Sequence, residues 1–105
     1  MLTKEEITVF LTLLMTFARD TGASGRVCGE VFRVSPNRMC RWIKAAPEGE
    51  GVKRMYWSRV GTIQRRIQAM NLYNDKHRVY PRIAGTNDKA EKRRLIENLI
   101  DNVDA

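Results

Sequence analysis

The chain has 105 residues, 43% of them apolar, and carries 19 Lys and Arg against 12 Asp and Glu, for a net charge of +7 and a pI near 9.9. This length supports one core and excludes two independent ones, and no apolar run approaches the roughly 20 residues that cross a bilayer. Cys28 and Cys40 make no disulfide framework, and with His77 as the single histidine they complete no zinc site.

Thr3 and Glu6 stand at capping-box spacing with Leu2 and Ile7 placed as a hydrophobic staple, so a helix is predicted from Lys4. Ile7, Phe10, Leu11, Leu14, Phe17 and Ala18 recur at helical spacing, and Asp20-Thr21-Gly22 supplies the stop. Val9, Leu13 and Met15 widen the apolar stripe, which suits a central core helix, with self-association as the competing reading. Ser24 can cap a shorter helix whose Val27, Cys28, Val31 and Phe32 point one way and which ends before Val34. Ser35-Pro36 then gives an N-cap and a proline at the first helical position. The helix it opens, over 35–44, has Met39, Trp42 and Ile43 on one side; Asn37, Cys40, Arg41 and Lys44 face the other way, with Arg38 flanking.

Pro47 and Glu48-Gly49-Glu50-Gly51 break this pattern, and residues 52–57 alternate weakly, as a strand would. Ser58 can cap a helix over 58–70 with Val60, Ile63, Ile67 and Met70 as its seam and Arg59, Arg65 and Arg66 off it. Gly61 weakens that helix. Asn74-Asp75 reads as a turn, and the alternation over 77–83 reads as a short edge strand that tolerates Pro81. After Gly85-Thr86-Asn87-Asp88 a last helix is marked by Leu95, Ile96, Leu99, Ile100 and Val103.

The charge is not spread evenly. Residues 24–83 hold 13 basic and 4 acidic groups, a net +9, while the segments on either side are each at −1; 10 of those 13 cations are arginine. The arginine fork suits phosphates and guanine edges, so a polyanionic partner is expected against the middle of the chain.

Two short helices joined by a tight turn, the second beginning Val34-Ser35-Pro36-Asn37 and running through Arg41-Trp42, resemble the helix-turn-helix of small bacterial and phage regulators. The resemblance covers residues 24–43, with Phe32, Arg33, Val34, Ser35, Met39 and Trp42 in the family's places and Gly29 where a small residue is usual. The departure is Arg33, because the family usually has glycine at a turn position of positive φ. The resemblance implies that the 35–44 helix lies in the major groove, Asn37, Arg38 and Arg41 reading bases and Lys44 meeting a phosphate. A competing assignment resembles winged-helix proteins: Arg59, Arg65 and Arg66 would read from the 58–70 helix, and Arg78 and Arg82 would lie along the backbone or in the minor groove from a wing.

The expected protein is therefore mainly α, one helix-turn-helix domain over 1–105 with four to five helices, and with a small β wing in the competing assignment. Its expected function is sequence-specific binding of double-stranded DNA as a cytoplasmic transcriptional regulator, with no cofactor, no membrane and no small-molecule ligand. A homodimer is expected through the first helix and the stripe of the last one, against the competing reading that both are core. An enzyme is not expected: His77 sits alone in a basic segment, and Gly49-Glu50-Gly51 lacks the lysine and helix of a phosphate loop. The alternative function is a small interaction protein that inhibits a host nucleic-acid machine such as RNA polymerase or a nuclease complex.

Overall fold

The computed structural model describes residues 4–35, 37 and 57–104. Five helices account for nearly all of them: α1 (Lys4–Thr21), α2 (Gly25–Phe32), α3 (Trp57–His77), α4 (Val79–Ala84) and α5 (Lys89–Asp104). The helix expected over 35–44 lies almost wholly outside the described residues, and so do Thr3 and Leu2 of the proposed cap and most of the weak strand over 52–57. Trp57, the one described residue of that alternating segment, is helical.

The helices form because each has an apolar face that another can cover. α1 buries Phe10, Leu11, Leu14 and Phe17, and packs against α3 and α4. Val9 and Met15, on opposite margins of that stripe, remain exposed, so the width of the apolar pattern exceeds what the core takes. α1 ends at Thr21, whose buried hydroxyl donates to the Phe17 carbonyl at 2.7 Å and accepts the Ala23 N–H at 3.3 Å. Gly22 turns the chain at φ 69°. α3 buries Val60, Ile63, Ile67 and Met70 as the seam predicts, and Gly61 sits inside it without interrupting it. α5 lays Ile96, Leu99 and Ile100 into the same core against α2, α3 and α4, with Leu95 and Val103 at its edge. That stripe is therefore interior to a single chain, and Asp88 starts its helix by accepting the Ala90 N–H at 3.3 Å.

Residues 74–83 correct the reading of a turn followed by an edge strand. α3 continues through Asn74-Asp75 to His77, and Val79–Ala84 is a helix. No strand occurs among the described residues, so the segment meant to supply a wing does not. Pro81 is accommodated because it occupies the first turn of α4, where a backbone N–H has no helical partner to lose. Tyr80 and Ile83, three residues apart, are the buried pair, which is the helical period. The break falls at Arg78, φ 54°, whose N–H still donates to the Asn74 carbonyl at 2.7 Å. The Asn74 side chain accepts the Tyr80 N–H at 2.7 Å, so the residue that looked like a turn former instead anchors the next helix. The Tyr80 hydroxyl donates to Asn71 Oδ1 at 2.8 Å, and burial first, then Asp20 and Asp75, pushes its pKa up.

Candidate nucleic-acid interface

The segment that resembles a helix-turn-helix is described as far as its turn. Ser24, extended at φ −72° and ψ 166°, accepts the Val27 N–H at 3.3 Å and so starts α2 where expected. Val27, Cys28, Gly29, Val31 and Phe32 are buried. The helix stops at Arg33, which adopts the left-handed conformation at φ 58° and ψ 45°. The next N–H, that of Val34, donates back to the Gly29 carbonyl at 2.8 Å. This is the six-to-one closure of a Schellman C-cap, normally built on glycine. Buried Phe32 and Val34 bracket the exposed arginine, so packing on both sides fixes the strained residue between them. Ser35 follows outside the helix and Asn37 is helical and exposed.

The left-handed backbone costs a side chain with a Cβ roughly 1–2 kcal/mol. Arg33→Gly is accordingly expected to raise stability by up to about 1 kcal/mol and Arg33→Val, β-branched, to lower it by about 1–2 kcal/mol. Urea unfolding of the two variants measures the difference; indistinguishable midpoints would mean that this turn is not held in the left-handed region.

The other expected site residues fall into separate places. Arg38, Arg41 and Lys44 lie outside the described residues. Arg59 belongs to the first turn of α3. Arg65 is exposed on α3 with no ion pair among the described residues, whereas half-buried Arg66 donates to Asp104 Oδ2 of α5 at 3.3 Å. Arg78 and Arg82, both exposed, are carried by the α3–α4 junction and α4 in place of a wing. Along α3, at 1.5 Å per residue, Arg78 is roughly 20 Å beyond Arg65. Arg65 and Arg78 of the competing assignment are thus too far apart to share one compact patch.

Arg66 and Arg33 instead share a polar groove with Glu30, Glu97, Asp101 and Asp104. Arg93 lies 3.1 Å from Glu30 and 3.7 Å from Glu97, joining α5 to α2. Nothing in the sequence signals these pairs, because Arg66 and Asp104 are 38 residues apart and Arg93 and Glu30 are 63 apart. His77 is exposed, with its ring 4.3 Å from that of Tyr73, one turn earlier on α3. Among the described residues no helix is long and apolar enough to cross a membrane. Compared with protein-family models, with curated proteins and with solved structures, the chain matches none.

Proposed function

We propose that the chain binds double-stranded DNA in a sequence-specific way, as a transcriptional regulator of bacterial or phage type, with α2 and the 35–44 segment as its helix-turn-helix. The observation that carries this reading is the turn: a left-handed residue directly after a short capped helix, closed by the Val34–Gly29 hydrogen bond, then an apolar residue turned inward and a serine turned outward. Arg33 was the one position at odds with the family pattern, and its backbone has the conformation for which the family uses glycine. A tight turn of this kind also serves other helix pairs. The arginine-rich charge of residues 24–83 favours the DNA-binding use of it.

In this proposal Asn37, Arg38 and Arg41 contact base edges and Lys44 a phosphate, with Arg59 and Arg65 of α3 as the candidates for the competing arrangement. Arg66 is the weaker candidate there, since Asp104 already holds its guanidinium. Two copies would pair to read half-sites about 34 Å apart. The core takes the stripe of α5, so α1, with Val9 and Met15 exposed, is the better candidate for pairing.

Selection of bound duplexes from random sequence, followed by titration at two salt concentrations, tests the reading. Asn37→Ala and Arg41→Ala are each expected to weaken binding to the selected site by about 1–3 kcal/mol and to relax its sequence preference. An equal loss on every duplex would make the two residues backbone contacts, and no loss would move the reading to α3. Absence of duplex binding at low salt sinks the proposal in favour of an inhibitor that acts on protein.

A further inference from the structure

A concave site lies on the side of the molecule formed by α4, the second half of α3 and the outer part of α5, with a volume of about 220 Å³. Its floor is apolar: Val79 and Ile83 of α4 meet Leu95 and Leu99 of α5. Tyr73, its ring against that of His77, forms one wall. Arg82, Asn98 and Asn102 supply the polar groups, and among the described residues Arg82 is the only charged one that lines the site.

The choice of residues on α5 is informative. Every other polar residue between Lys89 and Asp104 is charged, and the two uncharged amides, Asn98 and Asn102, are one turn apart and both line this site. Asparagine is a poorer helix former than the glutamate or lysine that a merely solvated face would carry. Among the described residues, moreover, none of Arg82, Asn98 and Asn102 has a side-chain hydrogen bond or ion pair. A cation and two amides therefore share a site with an apolar floor, and no carboxylate lines it among the described residues.

We propose that this site binds a small organic carboxylate carried on a single apolar ring. The Arg82 fork takes the carboxylate through two parallel hydrogen bonds. The amides of Asn98 and Asn102, each both donor and acceptor, orient it or a ring substituent, and the ring covers Val79, Ile83, Leu95 and Leu99. The size sets the class, because about 220 Å³ falls below the roughly 300–1,000 Å³ that drug-sized ligands occupy. The sign of the charge sets the rest. The proposal goes beyond DNA binding and does not depend on it.

Sodium benzoate is the probe, with benzyl alcohol as its uncharged counterpart, and amide chemical shifts of the full chain are the readout. Benzoate is expected to give saturable shifts at Val79, Ile83, Leu95, Asn98 and Asn102 with a dissociation constant of about 1 mM or below, as roughly nine non-hydrogen atoms allow. Benzyl alcohol should bind the same residues about tenfold more weakly, lacking the charge-assisted pair. Arg82→Gln should remove that difference, and Asn98→Asp should weaken benzoate at least about tenfold by placing a carboxylate in the site. Both positions are exposed, and an unchanged thermal midpoint for each variant shows that the fold is intact. Shifts that do not saturate by about 20 mM, shifts centred on another surface, or benzoate binding unaffected by Arg82→Gln would overturn the proposal.

Discussion

Phe17→Ala is expected to lower the stability of the fold by about 3–5 kcal/mol. Phe17 is 1% exposed, and its ring meets two others edge to face: Phe32 of α2 at 5.5 Å and 62°, and Tyr80 of α4 at 5.8 Å and 82°. One side chain of α1 thus holds the helix that precedes the proposed reading segment and the helix that stands where the competing assignment put a wing. Each aromatic contact adds about 0.5–1.5 kcal/mol to the burial of the ring, and alanine leaves a cavity that three separate helices must close. Small domains have about 5–15 kcal/mol in total, so the variant should lose about a fifth or more of its stability. Phe17→Leu, which keeps most of the volume, should cost about 1.5 kcal/mol. Urea unfolding followed by circular dichroism gives both values, and a loss under 1 kcal/mol for the alanine variant is incompatible with the ring lying between α2 and α4.

Ile96→Asp is expected to leave no cooperatively folded protein at neutral pH. Ile96 is 0% exposed at the point where α5 meets the core. Truncation there would cost about 2–5 kcal/mol by itself, and an unpartnered carboxylate in its place adds several more. Burial raises the carboxyl pKa, so the charged form carries the cost and acidification below the folded pKa should return part of the lost stability. Val103→Asp, at the edge of the core, should cost about 1–2 kcal/mol and remain folded. The pair of variants separates the two readings of the last helix. If Ile96→Asp were a folded monomer with weakened DNA binding, the stripe would belong to an interface between copies after all.

The parts of the fold that were legible in the sequence are those fixed within a few residues. Ser24 caps the nearby Val27 N–H, Gly22 ends a helix through its own backbone, Asp88 starts one through its side chain, and the seam of Val60, Ile63, Ile67 and Met70 follows one period. The strand reading at 77–83 failed because so short a window lets alternation and a three-residue spacing coincide, and because Pro81 suits the first turn of a helix as well as an edge strand. Arg78 carried no warning, since a left-handed arginine is held by what surrounds it and not by its own preference. Of the candidate site, the turn at Arg33 was legible because the spacing of Phe32, Val34 and Ser35 dictates it. The engagement of Arg66 by Asp104 was not, because it arises only once α3 and α5 lie side by side. The same holds for the benzoate-sized site, whose floor is divided between α4 and α5.

The placement of α5 also has a consequence in time. Its Ile96, Leu99 and Ile100 cover surfaces of α2, α3 and α4, so a nascent chain that has completed α4 still holds an open apolar face. Synthesis proceeds at roughly 5–20 residues per second, which leaves that face uncovered for an interval on the order of seconds while the 16 residues of α5 are added. Stalled or prematurely released chains that stop within α5 should therefore be the aggregating species in a cell, and slow decoding of the codons for residues 89–104 should lower the soluble yield without altering a single contact of the finished protein.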